Sequence, residues 1–199
     1  MNHIVNDTVR ALRTGKYEQA EAGLFLPAAK LFVGGFFTAQ YTSPEGEVGD
    51  LAVAPNRVVA QGINLILALL GGHVSSAALY LAPFSGNVTP ADGWTGATFA
   101  SDATEFTDYT PSTRVPWTTV NPTAKQLTNA AALAAATITF AAGGPFTVRG
   151  CGLIQGSAKG GTTGPLVAAS RFGADLTGMA TGGKLALEYS LSGIDEGDA

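Results

Sequence analysis

The feature that most limits the fold of this chain is a series of short β-prone runs separated by turn residues. Five such runs follow one another from about residue 77 onward, with no helical pattern between them: 78–84, 134–141, 146–154, 166–172 and 184–191. Strands joined by turns pair antiparallel, whereas parallel strands need a long crossover connection that is usually a helix. The sequence therefore predicts a mainly β chain, an antiparallel β-sandwich or jelly roll.

A hairpin is predicted before this series. The apolar run 31–37 is β-prone, and the Ser-Pro-Glu-Gly sequence at 43–46 is typical of a turn between two strands. The last strand shows the clearest alternation, because Leu185, Leu187, Tyr189 and Leu191 fall on one face and the residues between them on the other. We expect that face to cover one side of the core.

One segment has helical periodicity. Val59, Ile63, Ile66 and Leu70 recur at spacings of three and four residues, and two glycines follow Leu70. This pattern predicts one short helix at about 56–70, packed against the sheet through its apolar residues.

The first 22 residues differ from the rest because charged residues alternate there with apolar ones in a helix-prone stretch. We expect residues 1–22 to form an N-terminal arm or helix and residues 23–199 to form the sandwich domain. One main core is expected from a chain of 199 residues.

Charged residues make up only 13% of the chain, against roughly 25% in an ordinary soluble domain. A chain so poor in charge is expected to cover much of its surface with partners, including copies of itself. The net charge of −4 and the scattered cations exclude a nucleic-acid partner. No apolar run reaches membrane-spanning length, and the start lacks the pattern of a secretory signal, so no membrane partner is expected.

The residues that could carry catalysis are few. The chain has one cysteine, Cys151, and only His73 among its two histidines lies outside the N-terminal segment. A histidine after two glycines is typical of a helix C-terminus, and a cysteine inside an apolar strand is typical of a buried, unreactive thiol. We expect no enzymatic activity, no metal and no cofactor.

Two loops invite a ligand hypothesis. The Gly-rich segment 156–164 has the composition of a phosphate loop, but its lysine precedes the glycine pair and a strand follows, so a flexible connection between strands is expected. Asp102, Glu105 and Asp108 lack the spacing of a calcium loop, and we expect a solvated acidic loop.

The stretch 85–122 is long, has few aliphatic residues and carries several aromatic ones. Long loops in a compact domain usually carry function, and aromatic and arginine side chains are favoured anchors of protein contacts. The residues predicted to contact partners are Tyr17, Trp94, Phe99, Phe106, Tyr109, Arg114 and Trp117.

Several segments resemble small virion structural proteins of tailed bacteriophages. The segments that carry the likeness are 55–64, 79–90, 104–109, 112–114 with Trp117, 157–164 leading into 168–172, and 185–191. The Ala-Ala-Ser-Arg-Phe sequence at 168–172 is the most specific of these. The likeness covers most of residues 24–192 and leaves 1–22 unmatched.

The resemblance implies a capsid cement or decoration protein, which stabilises the head shell through subunit contacts. It also implies a homotrimer at the capsid surface of the virion, with the major capsid protein and copies of itself as partners. Alternatives are a fibre or head-fibre module that binds a host-surface glycan, with Trp94 and Trp117 as a stacking platform, and a component of the head–tail connector. A hydrolase with an unrecognised site ranks last.

Overall fold

The computed structural model describes residues 31–122 and 124–195. The chain divides into two units, Gly34–Ser192 and a second made of Met1–Val33 with Gly193–Ala199. The sandwich belongs to Gly34–Ser192. The predicted arm 1–22, with Tyr17, and the first residues of the predicted sandwich domain lie outside the described residues.

The described part of the chain is mainly β, with two antiparallel sheets and short helices, which confirms the predicted sandwich with a short helix. Sheet A has the order β2-β1-β11-β8-β5, with β7 also paired to β11, and sheet B has the order β3-β10-β9-β4-β6. The strands are β1 (Leu31–Thr42), β2 (Val48–Pro55), β3 (Arg57–Val58), β4 (Tyr80–Phe84), β5 (Tyr109–Thr110), β6 (Val115–Pro116), β7 (Gln126–Thr128), β8 (Thr137–Phe140), β9 (Phe146–Ile154), β10 (Leu166–Met179) and β11 (Lys184–Asp195). The helices are α1 (Ala60–Leu70), α2 (Phe99–Asp102) and the 3-10 helix Ala130–Ala136.

The main core lies between the two sheets and follows from the alternation along the strands. Leu185, Leu187 and Tyr189 of β11 are buried there, as predicted. The Tyr189 ring lies 4.4 Å from that of Phe37 on β1, measured between ring centroids. Leu153 of β9 belongs to the same core from sheet B. The period of two thus places one face of each sheet in a shared interior.

Sheet B is buried on its other face as well. Phe84, Trp94 and Phe99 pack edge to face there, with ring centroids 6.3 Å apart in each pair. Glycines in β9 make room for these rings, because a Cβ at Gly150 would lie 2.2 Å from the Phe84 ring and one at Gly152 would lie 2.7 Å from the Phe99 ring. Sheet B is therefore the middle layer of the fold.

The helix begins four residues later than predicted. Asn56 belongs to the junction between strands: its Oδ1 accepts a hydrogen bond from the Gly35 N–H at 2.6 Å, and its Nδ2 donates to the Tyr189 hydroxyl at 2.8 Å. Residues 57–58 then pair with β10 as β3. Helix α1 starts at Ala60 and ends at Leu70 as predicted, where the Gly71 N–H donates to the Leu67 carbonyl at 2.9 Å.

The way in which α1 packs also differs from the prediction. The helix meets sheet B at Gly62, where a Cβ would lie 2.0 Å from the Val167 carbonyl oxygen. Val59 is buried just before the helix and Ile66 is half-buried, but Ile63 and Leu70 are exposed. The prediction that Ile63 and Leu70 pack on the sheet is wrong, because the close contact uses the glycine side of the helix.

Other strands also depart from their predicted bounds: β4 begins two residues later and β11 ends four residues later than predicted. β10 continues to Met179 through irregular pairing with β9 after Arg171. The alanine-rich start of the predicted strand 134–141 is part of the 3-10 helix, whose end is held by the Thr137 hydroxyl donating to the Leu133 carbonyl at 2.9 Å. Alanine lacks the bulk that favours a strand, so this run adopts a local helical turn.

Candidate functional site

The structure places most of the predicted contact aromatics inside the subunit. Trp94 is 8% exposed and Phe99 is fully buried in the cluster on the outer face of sheet B. Phe106 and Tyr109 stack in the core between the sheets, with ring centroids 6.1 Å apart. These four side chains contribute to the subunit's own stability and are not presented to a partner.

Trp117 is half-buried and is held by the same core. Its Nε1–H donates to the Tyr189 carbonyl at 2.9 Å, and its ring centroid lies 5.6 Å from that of Tyr189. The polar atom and one face of the ring are therefore already engaged within the chain.

Arg114 is buried in an ion pair with Glu105, and both side chains are at most 1% exposed. Arg114 Nε donates to Glu105 Oε1 at 2.8 Å and Nη2 donates to Oε2 at 2.6 Å, so the pair is bidentate. The prediction that Glu105 belongs to a solvated loop is wrong, whereas Asp102 and Asp108 are exposed as expected. A charged pair survives burial here because each partner satisfies the other.

The same pair holds the Gly-rich segment 156–164, which connects β9 to β10 as predicted. Arg114 Nη1 donates to the Gly156 carbonyl at 2.8 Å, and Nη2 donates to the Gly161 carbonyl at 3.1 Å. The Gly160 N–H donates to Glu105 Oε2 at 3.1 Å. The segment is thus fixed by specific bonds and is not the flexible connection expected from its composition.

Lys159 fastens this segment to the strand opposite. Its ammonium lies 3.5 Å from the centroid of the Tyr109 ring and donates to the carbonyls of Thr107 and Tyr109. Desolvation lowers the pKa of Lys159 below its ordinary value. Lys159, the lysine of the apparent phosphate loop, therefore stabilises the fold through its contacts with Thr107 and Tyr109.

Cys151 and His73 are not arranged for nucleophilic chemistry. Cys151 is buried in the main core, and burial raises the pKa of its thiol well above the ordinary value, which disfavours the reactive thiolate. His73 is exposed after α1, where its backbone N–H donates to the Ala68 carbonyl at 2.9 Å.

Among residues 31–122 and 124–195, no cluster of His, Cys, Asp or Glu is placed to hold a metal ion. No helix in the described part of the chain has the length and apolar character to cross a membrane.

One exposed apolar surface is the outward side of α1 and the turn after it, here called the α1 face. It consists of Ile63, Leu67, Leu70 and Val74, and Leu67 and Leu70 are 60% and 74% exposed. No residue between Arg57 and Asp92 carries a formal charge, so the face has no charged residue of its own. Contiguous apolar residues of this size on a surface mark contact sites.

A second apolar surface, here called the hairpin face, lies on the outer side of β1 and β2. Phe36 is exposed on β1, and Leu51 and Val53 are exposed on β2. Thr38 pairs with Val53 in this hairpin, so the alternation that buries Ala52 and Ala54 turns Leu51 and Val53 outward. β2 is also an edge strand of sheet A.

Sequence reasoning missed both surfaces for the same reason. An apolar stripe on a helix or strand has the same spacing whether it faces a core or a partner. For α1, the sequence signal that could have distinguished a partner-facing stripe from a core-facing one was the run of 34 uncharged residues, 58–91, in which the helix lies.

The chain was compared with profiles of protein families, with curated proteins and with solved structures. None of the three comparisons gave a match.

Proposed function

We propose that this protein is a structural subunit of a tailed-phage particle, a cement or decoration protein that stabilises the head shell through contacts made by its surface. The observation that carries the proposal is the α1 face, which exposes large apolar side chains on a helix without any charged residue. The resemblance of the segments named above to phage virion proteins supplies the setting. No catalytic arrangement is needed for this role.

The α1 face is assigned to contacts between copies of the chain. Identical faces that converge around a three-fold axis bring like charges together, and a face without charges avoids that repulsion. A stable interface buries about 800 Å² on each partner, more than four side chains supply, so the α1 face forms its apolar centre. A homotrimer built around this face fits the proposal.

The hairpin face is assigned to the shell. The turn beside it carries Glu45 and Glu47 and the start of β2 carries Asp50, all exposed, which gives this apolar surface an acidic rim. Charged rims contribute specificity towards a different partner, here the major capsid protein.

The first test is the exchange of Leu67 or Leu70 for glutamate. Each variant places a charge at the centre of the proposed contact and is expected to weaken self-association by at least about tenfold. Analytical ultracentrifugation over a concentration series measures this change. Thermal unfolding at a concentration where the chain is monomeric should change little, because neither side chain is in the core.

Val120→Glu is the matched control, since Val120 is 67% exposed and lies outside both apolar surfaces. It should associate like the native chain. If all three variants associate alike, or if the native chain stays monomeric at high concentration, the assignment of the α1 face is overturned. Leu51→Glu should lower binding to purified shells while leaving self-association unchanged.

The glycan-binding alternative finds less support. It relied on Trp94 and Trp117 as a stacking platform, and the first ring is inside the fold while the second packs on Tyr189. A sugar-stacking platform needs exposed aromatic faces, whereas Trp94 is buried and Trp117 already packs on Tyr189 with part of its ring.

A further inference from the structure

A cleft with two arginines opens beside the end of β2. Residues 55–57, 89–90 and 169–171 line it, and its volume is about 380 Å³. Small-molecule sites span roughly 300–1,000 Å³, so the cleft has room for a small ligand. Arg57 of β3 pairs with Ala169 of β10, and Arg171 lies two residues further along on the same face. Diagonal neighbours of this kind have backbones roughly 7–8 Å apart, within reach of one shared ligand.

The cleft is electropositive in a chain that is acidic as a whole. Arg171 Nη2 donates to Asp175 Oδ1 at 2.8 Å, and the other oxygen of the same carboxylate accepts from Arg149 Nε at 2.9 Å. One carboxylate therefore lies between two guanidinium groups, and Arg57 adds a third cation near them. Three positive charges are balanced by one negative charge in this cluster.

The two arginines retain unused hydrogen-bond donors. Within the part of the chain that the structure describes, the guanidinium group of Arg57 makes no hydrogen bond and no ion pair, and the side chain is exposed at the cleft. Arg171 Nη2 donates to Asn87 Oδ1 and Asp175 Oδ1, and Nη1 donates to the Phe172 carbonyl, but the buried Nε–H has no acceptor. A buried donor without a partner costs about 1–3 kcal/mol, so such groups are rare in folded proteins.

We infer that this cleft binds the carboxylate or phosphate group of a small ligand between Arg57 and Arg171. The planar fork of Arg57 matches the two oxygens of such a group. The Nε–H of Arg171 is buried, so a ligand oxygen reaches it only after the side chain rotates. The threonine hydroxyl of Thr89, exposed at the rim, is a further donor for the ligand. This site is separate from the α1 face and the hairpin face and does not depend on the proposed function.

The test measures binding of three probes to the full chain at constant ionic strength, by chemical-shift changes in NMR spectra. The probes are inorganic phosphate, glucuronate and, as a neutral match for the latter, glucose. Phosphate, glucuronate or both should bind with a dissociation constant on the order of 1 mM, and glucose should not. Comparison of the two anions tells whether the cleft prefers a phosphate or a sugar carboxylate.

Arg57→Gln should weaken anion binding by about tenfold, because the charge and the fork are lost together. Arg57→Lys keeps the charge but loses the planar guanidinium group, so its affinity for the anion should lie between that of the native chain and that of Arg57→Gln. Neither change removes a bond within the described chain, so the fold should be intact, which thermal unfolding checks. Lys184→Gln, which removes an exposed cation of sheet A, should bind like the native chain. The inference is overturned if Arg57→Gln binds like the native chain, if Lys184→Gln loses as much, or if glucose binds as well as glucuronate.

Discussion

Replacement of Glu105 by glutamine tests whether the buried ion pair holds the Gly-rich segment in place. Glutamine has nearly the same shape but no charge, and it offers one oxygen to Arg114 where glutamate offers two. Arg114 would keep its bonds to the carbonyls of Gly156 and Gly161 but would be left as a buried cation without a counter-charge.

The magnitude follows from the burial of both partners. Removal of one member of a buried pair costs about 3–5 kcal/mol, because the remaining charge has no compensation. Glutamine retains one acceptor, so we expect a loss of about 3 kcal/mol in the free energy of unfolding. Urea denaturation followed by tryptophan fluorescence measures it. Hydrogen exchange of the amides in 156–164 should accelerate, because the Gly160 N–H loses a charged acceptor.

Two further variants make the result interpretable. Asp102→Asn removes an exposed carboxylate close in sequence, and its effect should be within about 0.5 kcal/mol. Joint replacement of Glu105 by leucine and Arg114 by methionine removes both charges but also the donors to the carbonyls of Gly156 and Gly161, so it should recover only the part of the loss that comes from the unpaired charge. A loss below about 1 kcal/mol for Glu105→Gln, or one equal to that of Asp102→Asn, would refute the structural role of the pair.

Three other predictions concern the helix contact, the outer core and the buried tyrosines. Gly62→Ala should lower the free energy of unfolding by about 2 kcal/mol or more despite the better helix propensity of alanine, because its Cβ would overlap the Val167 backbone; an unchanged urea midpoint would contradict the close contact. Phe99→Ala should cost about 3–5 kcal/mol in the same assay, and a loss under about 1 kcal/mol would return this residue to a contact surface. Burial raises the pKa of Tyr109 and of Tyr189. Above the ordinary tyrosine pKa of about 10, the unfolded chain therefore releases protons that the folded chain keeps, and the free energy of unfolding should fall as the pH rises. Tyrosine absorbance that titrates normally in the folded chain would contradict this.

The strand framework could be predicted from the sequence because it rests on local signals. The run 146–154 matches β9, and the alternation of Leu185, Leu187 and Tyr189 identified the inward face of β11. Turn residues and a period of two report directly on antiparallel strands, so these predictions needed no knowledge of distant contacts.

The position of the aromatic residues could not be predicted in the same way. Trp94 and Phe99 lie in a stretch with weak periodicity, and the space for the Phe99 ring depends on Gly152 of β9, which lies some 50 residues later. The same holds for Glu105, whose partner Arg114 is near in sequence but whose burial depends on the segment 156–164. Contacts between distant segments decide these environments, and spacing along one segment does not report them.

Because α1 contacts the sheet through Gly62, its packing on the fold does not depend on the side chains that it exposes on the outward side. α1 contacts sheet B closely at the backbone of Gly62. The side chains of Ile63, Leu67 and Leu70 are exposed and do not pack in the core. Substitutions there can alter what the subunit adheres to while the free energy of folding stays nearly constant. In the proposed role, the choice of partner could be changed at these positions without a change of the scaffold.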